Sequence, residues 1–201
     1  MSLRPRTPGD AGFSMPEPAI ARSFPSTARV GEATVTLRLM NPRDRDAFLR
    51  FMRAQPEDDL FFLLVDVTAQ EGLDHWMHDL DKGRNITVLA EQDGKLVGYS
   101  SLHHGQTRWT RHLGEIRLLV APDQRGRGLG QLLGHEIFCV AHDLGLQRIM
   151  VRVASGQKSA RRLFERQGFH VEALLADWVI DRQGCTQDLV LMSYDVAGFH
   201  G

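Results

Sequence analysis

The order of elements legible in the sequence calls for a mixed α/β fold. Three observations carry this expectation. A strand-periodic segment precedes two helical ones, an Asp93-Gly94 hairpin joins two further strands, and beyond residue 113 strand and helix alternate before a closing hairpin.

The first strand covers 34–40, where Val35, Leu37 and Leu39 alternate with polar residues. Asn41 and Pro42 suit the cap and first position of a helix whose apolar face is Phe48, Leu49 and Met52. A second helix spans about 71–80 on Leu73, Trp76, Met77 and Leu80, and the run Phe61, Phe62, Leu63, Leu64 reads as a buried segment between the two. Strands follow at 86–91 and 96–102, joined by Gln92-Asp93-Gly94-Lys95. The next block reads as strand 113–120, helix 128–144, strand 148–153 and helix 159–167. The helix from 128 carries Leu129, Leu132, Leu133, Ile137, Val140 and Leu144 on its core face. Two last strands, near 170–175 and 188–194, pair antiparallel around 181–184.

A length of 201 residues suits one domain with an extension. Five of the eight prolines precede residue 26, at Pro5, Pro8, Pro16, Pro18 and Pro25, so 1–32 is expected to be a flexible N-terminal extension and 33–201 the folded domain. Hydrophobic residues at 42% and charged ones at 24% provide for a real core. A formal charge of −1, from 24 basic and 25 acidic residues, argues against a nucleic-acid partner, and the apolar runs are too short to span a bilayer. Cys139 and Cys185 belong to no Cys-x-x-Cys pair, and the first residues lack the apolar stretch of a signal peptide; a cytoplasmic location is expected.

Three of the 19 glycines crowd into five residues, Gly126, Gly128 and Gly130, between a strand and a helix. A strand feeding a glycine turn that opens a helix offers free N–H groups and a positive dipole end to a phosphate, and Arg125 and Arg127 add charge. A P-loop is excluded, because none of the three lysines, Lys82, Lys95 and Lys158, sits where it is required. A dinucleotide fingerprint needs G-x-G-x-x-G with a later acidic residue, whereas this spacing is G-x-G-x-G and the next strand ends on Val153-Ala154-Ser155.

Arg125-Gly126-Arg127-Gly128-Leu129-Gly130 instead resembles the R/Q-x-x-G-x-G/A acyl-CoA loop of the GCN5-related N-acetyltransferase (GNAT) family. The preceding Leu118-Leu119-Val120-Ala121-Pro122 and the downstream Ala160-Arg161-Arg162-Leu163-Phe164 leading to Gly168-Phe169 resemble that family's strand and helix end. The resemblance extends from about Thr34 onward. It implies a GNAT-like acyl-CoA N-acyltransferase fold: α/β, with a mixed, mostly antiparallel central sheet and flanking helices. It also implies acetyl-CoA as cosubstrate and direct transfer, in a ternary complex, to a primary amine of a small molecule or protein N-terminus. The loop from Arg125 to Gly130 would hold the pyrophosphate, main-chain groups at Leu118, Leu119 and Val120 the pantetheine arm, and Gln157, standing for the family's Asn, the pantetheine or adenine side.

Such transfer needs a base, an N–H aimed at the thioester oxygen and protonation of the leaving thiolate. Glu115, near the start of the cofactor strand, resembles the family's catalytic glutamate and is the expected general base; the alternative is a carboxylate paired with Arg117 or merely solvated. Phe164 stands where the family often has a tyrosine and cannot donate a proton, which leaves a noncatalytic acyl-CoA-binding sensor as the alternative function. His103, His104 and His112 flank the expected acceptor side, with His112 as reserve base, and Phe61, Phe62 and Trp76 are candidates to line it. His75-x-x-His78 and His135-Glu136 lack a third ligand, so no metal is expected; homodimerisation is left open.

Overall fold

The computed structural model describes residues 20–61, 63, 65–105 and 107–198. The strands are β1 (Ser26–Val30), β2 (Ala33–Leu39), β3 (Asn85–Gln92), β4 (Lys95–His104), β5 (Leu113–Val120), β6 (Arg148–Ala154), β7 (His170–Ile180) and β8 (Thr186–Asp195). The helices are α1 (Arg45–Arg53), α2 (Glu57–Leu60), α3 (Gln70–Asp81), α4 (Leu129–Asp143) and α5 (Lys158–Arg166). All strands join one sheet in the order β1-β2-β3-β4-β5-β6-β8-β7, and every neighbouring pair is antiparallel except β5 with β6. The mixed, mostly antiparallel sheet is the one expected.

Local chemistry explains the turns. Asp93 and Gly94 both take positive φ, 51° and 73°, as the two central residues of the tight β3–β4 hairpin require. Asn41 caps a short 3-10 turn at Pro42–Asp44 that leads into α1: its side chain accepts from the Arg43 N–H, while Asp44 accepts from the Asn41 N–H at 2.8 Å.

Two expectations are corrected. The segment expected to be an extension through residue 32 contains β1, which pairs with β2 from Ser26↔Leu37 to Val30↔Ala33 and buries Val30. Its Ser/Thr-rich sequence hides a strand because only alternate residues on one face need to be buried. Residues 1–19 lie outside the described residues. Phe61 is 41% exposed rather than buried, because it follows the acidic turn α2 at the surface; Phe62 and Leu64 lie outside the described residues.

The sheet divides two cores. On one face Ile116 and Val120 of β5 pack under α4 and α5 with Leu129, Leu133, Ile137 and Phe164. On the other Leu89 and Tyr99 meet Phe48, Met52, Leu73 and Trp76 of α1 and α3. The site lies where β5 meets β6, open to this second face.

Candidate active site

β5 and β6 are paired only at their starts, from Leu113↔Arg148 to Glu115↔Met150. Beyond Glu115 they separate, β5 staying on β4 up to Val120 and β6 staying on β8 up to Ala154. The Ala121 N–H donates to the Val97 carbonyl of β4, so by strand alternation the backbone groups of Ile116, Leu118 and Val120 face the opening gap. A strand edge left unpaired inside a sheet is a template for an extended ligand.

The gap ends at the glycine loop. After a 3-10 turn at Pro122–Gln124 the chain extends at Arg125, and Gly126 and Gly128 take φ of 73° and 97° before α4 begins at Leu129. Side chains avoid these angles, and a Cβ at either glycine would meet nothing within 4 Å. Both are therefore required by backbone angle, and the space in front of them is open. No side chain among the described residues caps α4, which leaves its first N–H groups facing outward, a favourable setting for an anion. Gly130 is under neither constraint: a Cβ there would make only ordinary van der Waals contact, 3.4 Å from Leu163 of α5. Leu129 is buried, so it offers the loop only its main chain.

The side chains assigned to the cofactor are partly engaged with the protein. Arg125 donates from Nε to the Val120 carbonyl at 3.0 Å and pairs with Asp59 of α2 at 2.5 Å. Arg182, in the β7–β8 turn, also reaches α2, pairing with Glu57 and Asp58, so α2 links the glycine loop to that turn. Arg127 makes no hydrogen bond or ion pair with the described residues and borders a groove with Val30, Glu32 and Ala33. The Gln157 Oε1 accepts from the Ala154 N–H at 3.0 Å, closing the end of β6.

On the α1/α3 face, Glu115 sits at the point where the gap opens. It is paired with Arg152, not with Arg117 as the sequence alternative had it: Arg152 Nε and Nη2 donate to its two oxygens at 3.0 and 2.5 Å. The pair forms because parallel register places Met150 beside Glu115 and alternation brings Arg152 to the same face. Directly across β4 lies His103, whose Nε2 is 2.9 Å from Ser101 Oγ and whose ring meets the edge of Trp76 at 4.9 Å. Burial, then the nearby Arg117, push the His103 imidazole down to about 3, so it is neutral at physiological pH. Arg117 lies with its guanidinium carbon 6.0 Å from the Trp76 ring centre, its charge disfavoured chiefly by burial. Burial also lowers the His104 imidazole below its ordinary range, against a hydrogen bond to the Gly83 backbone that raises it, and the carbonyl of His112 accepts from Gln147 and Arg148, at the paired end of β5.

The matches to known proteins agree with this geometry. The model of the Acetyltransferase (GNAT) family matches residues 48–169, which includes the gap, the glycine loop and α5. The chain belongs to the GNAT family. A mycothiol acetyltransferase of Thermomonospora curvata is 30% identical over 145 residues, 67% of this chain and 44% of that protein, so the chain spans less than half of this relative. The crystal structure of a GNAT acetyltransferase of Streptococcus pneumoniae superposes with a TM-score of 0.70 at 22% identity, covering 80% of this chain and 99% of that one. A GNAT superfamily phosphinothricin acetyltransferase of Sinorhizobium meliloti, solved in complex with acetyl-CoA, gives a TM-score of 0.68 at 21% identity, covering 80% and 88%.

Phe164 is buried against Phe169, with ring centres 5.2 Å apart, and belongs to the α4/α5 core. Tyr194 stacks on Phe138 in that same core, while Tyr99 is buried on the opposite face beside Phe48 and Trp76. Sequence reasoning missed Arg152 and Tyr99 on this face and named the half-buried Arg117 only as a partner for Glu115. Alternation marks Arg152 as facing one side of β6, but the β5–β6 register that joins it to Glu115 is a tertiary fact.

Proposed function

We propose that the chain transfers the acetyl group of acetyl-CoA to a primary amine of a small molecule or peptide, by direct attack in a ternary complex. The observation that best supports this is the meeting of three features at one place: the β5–β6 gap, an uncapped helix N-terminus with open space before Gly126 and Gly128, and a carboxylate where the gap opens. These residues suit acetyl-CoA, which brings the thioester to be attacked.

The N–H groups from Gly126 to Gly130 would hold the pyrophosphate, with Arg127 supplying charge and Arg125 ordering the loop through the Val120 carbonyl. Gap-facing main chain at Leu118 and Val120 would line the pantetheine arm, with Leu119 completing the strand, and Gln157 would present its amide nitrogen from the β6 side. Glu115 takes the amine's proton through a water molecule, and Arg152 fixes its direction. His103 is too weakly basic for that task at neutral pH. With Phe164 apolar, the thiolate departs to solvent without a side-chain acid. That same residue supports the second reading, a noncatalytic acyl-CoA sensor.

Thiol release from acetyl-CoA with a panel of primary amines separates the two. The enzyme reading predicts amine-dependent release that falls about 10²- to 10⁴-fold in kcat for Glu115→Gln, with acetyl-CoA affinity preserved. Binding of acetyl-CoA without turnover on any amine would establish the sensor instead.

A further inference from the structure

The charges on the α1/α3 face do not balance locally. Glu115 is neutralised by Arg152, and Asp79 of α3 by Arg84 at 3.6 Å and by His75 at 3.4 Å when that imidazole is protonated. Arg117, two residues beyond Glu115 on the same face of β5, makes no hydrogen bond or ion pair with the described residues, and its Nε–H is buried without an acceptor. The side chains around it repeat the pattern. Trp76, beneath the guanidinium, and Tyr99, whose ring meets Trp76 edge-on at 5.8 Å, are 2% and 1% exposed, and neither the indole N–H nor the hydroxyl has a hydrogen-bond partner among the described residues. A buried N–H or O–H without an acceptor is costly, and here three such donors belong to side chains in contact. Their common complement is an oxygen anion, and a planar guanidinium matches a carboxylate with two parallel hydrogen bonds.

We infer that the acceptor is an amino acid or a molecule of that chemistry, its carboxylate held by Arg117 with Tyr99 and Trp76 as flanking donors and its amine turned toward Glu115. The inference rests on the acetyltransferase reading above. It names a substrate class and a specificity residue: Arg117 binds the acceptor and leaves the proton transfer to Glu115.

The test measures kcat/KM at saturating acetyl-CoA for the common L-amino acids, their α-carboxamides and simple alkylamines. The wild-type protein is compared with Arg117→Gln and Arg117→Lys. The wild type should prefer at least one amino acid over its carboxamide by about a hundredfold. Arg117→Gln should lose most of that preference, chiefly through KM, and Arg117→Lys should keep part of it. Acetyl-CoA affinity, measured on the same preparations, should match the wild type and so report a folded protein. Carboxamides or alkylamines acetylated as well as the acids, or a preference that survives in Arg117→Gln, would overturn this inference alone. No acetylation of any amine would overturn the acetyltransferase reading and this inference with it.

Discussion

The two faces of β5 are built on opposite plans. One turns Ile116, Leu118 and Val120 onto α4 and α5, where the contacts are almost wholly apolar; the other presents Glu115 and Arg117 to a wall containing His103, Tyr99 and Trp76. Because a strand alternates, one eight-residue segment supplies both the scaffold and the reactive groups. The apolar face sets how firmly the gap and the helix N-terminus are held. The polar face gives up some stability by burying groups whose hydrogen bonds the described residues do not complete.

That contrast can be broken from either side. Ile137, fully buried on α4 beneath the sheet, should be the more costly site: Ile137→Ala is expected to lower unfolding free energy by about 2–5 kcal/mol in urea titrations. A loss below about 1 kcal/mol would mean that the apolar layer is not the scaffold described. The polar face should instead reveal itself through pH. His103 has a folded-state pKa of about 3, against 6.5 when unfolded, so the stability gained by keeping it neutral is complete above pH 6.5 and lost as pH falls from 6.5 toward 3. Between pH 6.5 and 4.5 the loss from this group should reach roughly 2–3 kcal/mol. In His103→Gln that part of the acid dependence should vanish; an unchanged pH profile of unfolding would show that His103 is not held neutral.

The contrast also explains how much could be read from the sequence. Period and turn chemistry mark β2 through β6 and the long helices, because an alternating run such as Val35, Leu37, Leu39 or a pair such as Asp93-Gly94 carries its own structural signal. The glycine loop was legible for the same reason, its demands being local to Gly126 and Gly128. β1 was not, because Ser26–Val30 is a strand only by virtue of pairing with β2. Nor does the sequence show that β7 runs on to Ile180: Trp178 and Ile180 stay exposed, and a register shift between Leu175 and Val179 interrupts the alternation. The polar face was the least legible part. Glu115 stood out by position, but its partner Arg152 lies 37 residues away and the donors on Trp76, Tyr99 and Arg117 come from three separate elements. A site assembled across a sheet depends on registers that no short motif encodes.

The central claim is that the glycine loop and the gap beside it bind acetyl-CoA. Titrating acetyl-CoA into the wild-type protein and Gly128→Val, with the fold of both checked by circular dichroism, tests it directly. A β-branched residue at a φ of 97° is strained and places bulk in the open space before α4, so affinity should fall roughly tenfold to a hundredfold. Equal affinity in the two folded proteins would contradict the claim.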